Sequence, residues 1–312
     1  MTNKILYTLS SLIPSKKIRR FLKAKYIYKT EHPKIENYLE QNYIIPYFKQ
    51  KFHHNLTPQK KFEDEKIIWQ FWYQGLDNAP KIIQKCIESI QYHMKDEYKI
   101  IILTKENLKD YIDFPEFVYS KLENNTFGEK TITFFSDLLR VSLLSIYGGI
   151  WIDAAMFLSD KIQNNLLEQD FFVFHRSKEK PMDHLKWTNY NYYYFFWDDN
   201  FKVNILNGFI ISKKGHKLTN TLMNILLEYW EKEANFKFYF TFQVIFDILE
   251  KKYIPISLLP SNDIDVHLLQ FYAKYTYNDD LWNEIKSKTQ IHSLKNFKYI
   301  STNTMLQKIL EL

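Results

Sequence analysis

Residues 134–159 read FFSDLLRVSLLSIYGGIWIDAAMFLS, and this stretch decides the fold. Residues 137–147 form an apolar helix pattern whose only charges are Asp137 and Arg140. Three residues apart on a helix, an acid and a base share one face. Gly148 and Gly149 then permit the left-handed backbone that ends helices. Ile150-Trp151-Ile152 reads as a buried strand, and Asp153 falls at its end. A carboxylate directly after an apolar run carries a heavy desolvation cost unless it emerges at the strand's carboxyl edge, where open α/β sheets bind ligands. The pattern therefore predicts a ligand site at Asp153.

Working outward, residues 67–73 (IIWQFWY) read as a first strand closed by Gln74-Gly75. Ala79-Pro80 opens a helix to about residue 92, and residues 98–103 (YKIIIL) give a second strand. Thr104, with Asn107 three residues on, caps another helix. This β-α-β-α order predicts a parallel sheet with right-handed crossovers. Further strands are predicted over 171–175, 203–212 and 253–259, and helices over 215–231, 240–250 and 304–311. Residues 1–60, punctuated by Pro14, Pro33, Pro46 and Pro58, read as a helical lead-in to a domain over 61–312.

A chain of 312 residues that is 46% hydrophobic and 18% aromatic with six glycines can bury a sizeable core. The single cysteine, Cys86, excludes an intrachain disulfide and points to a reducing, cytoplasmic setting. No apolar run approaches the roughly 20 residues that span a bilayer, and the short apolar stretch over residues 5–13 lacks the marks of a signal peptide. Charge is uneven. Residues 1–30 hold eight Lys and Arg and no acid; taking these eight from the 42 basic residues leaves 34 against 36 Asp and Glu. Apolar residues accompany those cations, a pattern that suits an anionic membrane surface, where each cation contributes about 1 kcal/mol. A solvated surface helix is the plainer alternative. Nucleic acid is disfavoured because the remainder of the chain is close to neutral.

The pattern SDLLR, six residues, then YGGIWID, together with IIWQFWYQG at residues 67–75, resembles the capsular polysaccharide synthesis proteins of the broader glycosyltransferase family 32 group. The likeness runs over about residues 66–297 and departs from the group's Asp-x-Asp motif at one place, where the chain reads Asp153-Ala154-Ala155. The resemblance implies a GT-A type nucleotide-sugar fold, α/β with a mainly parallel central sheet and additional helices. It also implies a UDP-sugar donor, retention of anomeric configuration, and contacts from Asp137 and Arg140 to the donor's hydroxyls and phosphates. Guanidinium suits that task because it forms paired, directed hydrogen bonds.

Trp69, Phe71 and Trp72 are candidates for the slot that receives the base, with Trp72 favoured as the stacking ring and Gln70 and Gln74 as weaker polar partners. Ordinary strand packing explains the same rings. Asp153 is the expected ligand of Mn²⁺ or Mg²⁺, which bind carboxylate and phosphate oxygens. With Ala155 in place of a second acid, the chain finds a ligand elsewhere, uses a water, or works without tight metal binding. Residues 291–295 (IHSLK) loosely resemble the late His-and-Lys elements that close diphosphate sites in related transferases. That resemblance implies His292 as substitute ligand and Lys295 at a phosphate, with a core histidine as the competing reading of His292. Asn207-Gly208-Phe209 resembles a segment lining the donor sugar, with a strand bulge as the alternative. The aromatic run over residues 187–201 reads as an acceptor loop or a partner patch.

No Walker loop, GxSxG, HExxH or cysteine cluster competes. The expectation is a bacterial glycosyltransferase at the inner face of the cell membrane that moves a hexose to a saccharide acceptor, free or lipid-linked. The alternative is a non-catalytic glycan-binding scaffold of a polysaccharide assembly complex, for which Ala155 is the best support.

Overall fold

The structure is a computed structural model and describes residues 8, 10–63, 66–295, 297 and 300–311. Lys4, Ile5, Leu6 and Leu9 of the basic amino-terminal segment lie outside the described residues. The chain forms two compact units. Residues 55–175, 206–223 and 258–312 form one, and residues 1–54, 176–205 and 224–257 the other. The helical lead-in expected over 1–60 thus contributes its first 54 residues to a unit shared with two later segments.

The first unit is built on a five-stranded sheet in the order β2-β1-β3-β6-β5. The strands are β1 (Ile67–Phe71), β2 (Lys99–Leu103), β3 (Gly149–Ile152), β5 (Phe171–His175) and β6 (Ile205–Ser212). β1 runs parallel to both β2 and β3, whereas β6 runs antiparallel to β3. The architecture is α/β with a mainly parallel sheet, as the alternation of strand and helix patterns predicts. A second, two-stranded sheet pairs β4 (Met156–Leu158) with β7 (Ile291–Ser293).

Side chains alternate across a strand. Ile68, Ile150 and Ile152 face one apolar cluster with Ile90, Met94 and Phe172. Trp69, Phe71 and Trp151 take the opposite face, where the Phe71 ring meets Phe135 of the Thr131–Ile146 helix. That helix begins six residues before the expected Asp137. Thr131 explains the start: its hydroxyl accepts from the Phe127 amide at 3.0 Å and donates to the Gly128 carbonyl at 2.8 Å. An apolar helix needs cover on all sides, and from Phe134 to Ile146 every residue except Ser136 is buried.

The helix stops where Gly148 takes φ 75° and donates to the Leu144 carbonyl at 3.0 Å. Gly149, at φ 101°, leads into β3 so close to β1 that an added Cβ would lie 2.5 Å from the Ile67 carbonyl oxygen.

Three expectations fail, the first being the helix after Thr104, where only a 3-10 turn forms at Leu108–Asp110. No strand forms over 253–259: a wide helical turn occupies Leu249–Tyr253 and irregular chain follows. Pro255 has no N–H to give a ladder, which suits the observed path. The aromatic run over 187–201 is not an open loop, because Trp187, Tyr194, Phe195, Phe196 and Phe201 are buried in the core of the second unit. Arg176 lies over the rings of Tyr194, Phe195 and Trp197 there. Helices at Asp263–Tyr272 and Asp279–Lys288 complete the first unit. Among the described residues no helix is long and apolar enough to cross a membrane.

Gly149→Ala combines a left-handed backbone with a collision against main chain. It is expected to cost about 2 kcal/mol or more, read as a lowered thermal unfolding midpoint.

Candidate functional site

Asp153 follows β3 directly, and its backbone N–H donates to the Gly208 carbonyl at 2.8 Å. By alternation it projects to the face of Trp151, which is the face covered by the Thr131–Ile146 helix. This places its carboxylate against Arg140. Nη2 of Arg140 lies 3.1 Å from Asp153 Oδ1, and Nη1 lies 3.0 Å from Asp137 Oδ1. One guanidinium is therefore shared between the two predicted acids.

Three further groups hold it in place, and two more bonds hold the acids. Nη1 donates to the Asn207 carbonyl at 2.9 Å and Nη2 to the Ser136 hydroxyl at 3.2 Å. The Asn207 side-chain amide donates to Asp137 Oδ1 at 2.8 Å. The Trp151 indole N–H donates to Asp153 Oδ1 at 2.6 Å, and its ring lies 5.3 Å below the guanidinium carbon. Gly208 is constrained by the same carboxylate: a Cβ there would come within 2.8 Å of Asp153 Oδ2. The close approach that Gly208 allows is thus to Asp153.

The group opens to solvent on one side. The Asp153 side chain is 38% exposed, against 11% for Asp137 and 4% for Arg140. Burial pushes the Asp137 carboxyl up to about 7; Arg140 and the Asn207 amide hold it down, and the Asp153 carboxylate pushes it further up. The ion-pair geometry alone would argue for a low value, but with the side chain almost wholly removed from water desolvation outweighs one shared cation.

Other predicted residues fall elsewhere. Trp69 is fully buried, donates to the Gly148 carbonyl at 2.9 Å and packs on Phe62, Tyr111 and Tyr147. Phe71 is buried against Phe135. Both rings are core, which removes them from the base slot. Gln70 is buried on the opposite face of β1. Trp72 is half-buried and Gln74 exposed; both leave β1 at the carboxyl edge that β3 shares. Lys295 is exposed, with its ammonium 5.3 Å from the Phe297 ring.

His292 is a correction. It is fully buried on β7, shares a hydrogen bond with the Ser159 hydroxyl at 2.9 Å, and packs against Phe157 and Trp282. Burial pushes it down to about 3. This is a core histidine, and the structure does not bring it to Asp153.

The carboxylate donor set for a divalent ion at this edge reduces to Asp153 Oδ2, since Oδ1 is already bonded to Arg140 and Trp151. One such oxygen fits an ion carried mainly by phosphate oxygens and water, and does not fit an ion held by protein alone. A separate cavity of about 570 Å³ opens at the amino end of β3, lined by Lys66, Glu97, Tyr98, Gln169 and Lys213 among others. It lies at the opposite end of the strand from Asp153.

Three curated proteins align with parts of the chain. O-glycosyltransferase braB of Annulohypoxylon truncatum is 29% identical over 184 residues, which is 55% of this chain and 39% of that protein. Glycosyltransferase afumC of Aspergillus fumigatus is 28% identical over 102 residues, 30% of this chain and 26% of that protein. O-glycosyltransferase PaGT of Phomopsis amygdali is 26% identical over 110 residues, 34% of this chain and 27% of that protein. The chain spans less than half the length of each of these relatives. A solved structure titled PaToxG Glycosyltransferase is 15% identical with a TM-score of 0.37, covering 76% of this chain and 80% of its own, a likeness too weak to argue from. The model of the family described as capsular polysaccharide synthesis protein matches residues 16–309, so that nearly the whole chain, including the helices before the first strand, belongs to this family.

Proposed function

We propose that the protein is a glycosyltransferase that moves a hexose from a UDP-sugar to a saccharide acceptor in the synthesis of a capsule or related surface polysaccharide. The observation that carries this reading is the buried Arg140 shared between Asp137 and Asp153, with the Asp153 end open at the carboxyl edge of the parallel strands. The names of the three curated relatives support the reaction class.

In this reading the guanidinium and the exposed carboxylate face the diphosphate and the donor sugar. Trp72 stacks on the base from the same edge, with Gln74 beside it, and Asn207 fixes the acids and Arg140 in register. Lys295 meets a phosphate. Asp153 is the carboxylate ligand of the Mn²⁺ or Mg²⁺ that accompanies the nucleotide, and the ion, when bound, offsets charge on the departing diphosphate.

In this reading neither acid serves as the nucleophile: Asp137 is buried behind Arg140, and Asp153 is engaged by Arg140 and the ion. A front-face transfer with retention, in which the leaving diphosphate oxygen takes the acceptor proton, needs only electrostatic stabilisation from the protein. Asp153→Asn is expected to lower UDP release from UDP-sugars, assayed with Mn²⁺, by at least about a hundredfold with circular dichroism unchanged. Near wild-type turnover in that variant would remove Asp153 from the mechanism. Donor binding by the wild type with no UDP release for any sugar would instead favour the non-catalytic scaffold.

Ionisation of Asp137 sets a pH dependence. Below about 7 the buried carboxyl is protonated and Arg140 and Asp153 balance. Above it a second negative charge is present, which opposes an anionic diphosphate. Binding of a UDP-sugar, whose own charge is constant in this range, is therefore expected to weaken as pH rises through 7, by about three- to tenfold between about pH 6 and about pH 8. Asp137→Asn should flatten the profile, and an unchanged slope in isothermal titration would exclude this origin.

Membrane contact at an anionic inner leaflet rests on the helical unit. The Lys16–Tyr26 helix carries Lys16, Lys17, Arg19, Arg20, Lys23 and Lys25. Leu12 is 78% exposed and Ile18 52%, and Leu185, 50% exposed, joins Lys17, Ile18, Phe21 and Lys186 around an apolar groove. The protein is expected to sediment with phosphatidylserine-containing vesicles and to be released by salt. Replacing Leu12, Ile18 and Leu185 together with serine should abolish that binding, and full retention would refute the surface.

A further inference from the structure

We infer that His54, Glu228 and Glu231 form a binding site for a zinc-like divalent cation in the helical unit, independent of the transferase site. Glu228 and Glu231 lie on the last turns of the Lys217–Lys232 helix, three residues apart and so on neighbouring positions of one face. His54 arrives from the irregular chain that follows the early helices. Its position is fixed by its own main chain, because the His54 backbone N–H donates at 2.7 Å to Oδ1 of Asn224, a fully buried residue one turn before Glu228 on the same helix.

This anchor brings the imidazole onto the acids. His54 Nε2 lies 2.9 Å from Glu228 Oε2 and 4.0 Å from Glu231 Oε2. The three ligand atoms all lie within 4.8 Å of one another. In a tetrahedral zinc site, bonds of about 2.0–2.1 Å place ligand atoms about 3.3 Å apart. Glu228 is 5% exposed and set. Glu231, with its side chain 51% exposed, has room to close the remaining gap. Lys232 sits 2.5 Å from Glu228 Oε1, the oxygen that faces away from the histidine, so its ion pair leaves Oε2 on the imidazole side.

The donor set selects the ion. One imidazole nitrogen and two carboxylates suit zinc and its first-row neighbours better than magnesium, which prefers an all-oxygen octahedron. On binding, the ion forms bonds to Nε2 and the two carboxylate oxygens and replaces the proton that bridges His54 to Glu228; that proton leaves to solvent. Water completes the shell. The consequence is structural: the ion ties the chain around residue 54 to the end of a long helix. His53 is exposed and is not among the grouped ligand atoms. Without metal, His54 Nε2 and Glu228 share an ordinary hydrogen bond, and the experiment separates the two.

Untagged full-length protein, equilibrated with zinc and then dialysed, is assayed for retained metal and by titration calorimetry. The Asp153→Asn background removes any ion bound at the transferase site. About one equivalent is expected in both the wild type and that background. Glu231→Gln, a change at an exposed side chain, should weaken zinc binding by at least about tenfold, and His54→Ala should abolish it. A chelator should lower the unfolding midpoint of the zinc-loaded wild type and leave that of His54→Ala unmoved. Failure of the wild type to retain zinc, or an affinity unchanged in Glu231→Gln, would overturn the site. Should His54→Ala not fold, Glu231→Gln alone decides.

Discussion

The site depends on one buried cation, Arg140. Arg140 sits in a helix that is apolar nearly all round, where an uncompensated guanidinium would cost several kcal/mol. Its side chain is 4% exposed, so compensation must come from protein. Two carboxylates, a main-chain carbonyl, a hydroxyl and the face of an indole supply it. Breaking a buried ion pair typically costs about 3–5 kcal/mol, a figure that applies to the buried Asp137 and shrinks at Asp153, whose side chain is 38% exposed. The arrangement thus constrains its surroundings: Asn207 must turn its carbonyl to Arg140 and its amide to Asp137, and residue 208 must lack a side chain. β6 is tied to β3 by this polar cluster as well as by the ladder.

The sheet turns that constraint into a surface feature. Arg140 and Asp137 are fixed one helical turn apart on a rigid element, and Trp151 and Asp153 two residues apart on one face of a strand. Asp153 is the first residue beyond the strand and the most exposed of the three charged members of the group. A ligand arriving at this edge therefore meets a carboxylate whose position is set by bonds reaching back into the core. That preorganisation matters for an electrostatic role, because dipoles and charges already in place need no reorganisation when charge develops.

Much of this was legible in the sequence where a local period or a forced turn carried it. Asp137 and Arg140 at helical spacing, two glycines and a strand ending on Asp153 were each readable from neighbours a few residues apart. What escaped reading was set by distant partners. Nothing local told that the Asn207 carbonyl would meet Arg140, that the Asn207 amide would bond Asp137, or that Gly208 yields space to a carboxylate 55 positions earlier in the chain. Trp69 and Phe71 looked like a binding slot because alternating aromatics look the same in a core and at a site; burial on a central strand distinguishes them. His292 was drawn to the site by its order in the sequence, whereas pairing of β7 with β4 takes it into the interior. The helices at Asp263–Tyr272 and Asp279–Lys288 did leave a local signal, since Asn262 and Asn278 cap them with side-chain hydrogen bonds. The strand pattern over 253–259 led the other way because a bulky apolar run was weighed without Pro255.

The alanine at 155 acquires a physical meaning in this setting. Ala154 is buried within a second apolar cluster that includes Ile82, Phe157 and Met305, and Ala155 packs against the same cluster. The Ala155 carbonyl accepts from the Leu294 amide at 2.8 Å, which fixes the chain as it turns from β3 into β4. An acid at 155 would extend from this fixed backbone beside apolar side chains, and would add a third negative charge near a group with one guanidinium. Such a charge is stable only with a cation in place. With alanine the acids and Arg140 stand without one: the second acid of the pair is Asp137, behind the guanidinium and partly neutralised by its own burial. The reduced motif is thus coherent with a site whose one positive charge is built into the protein as Arg140.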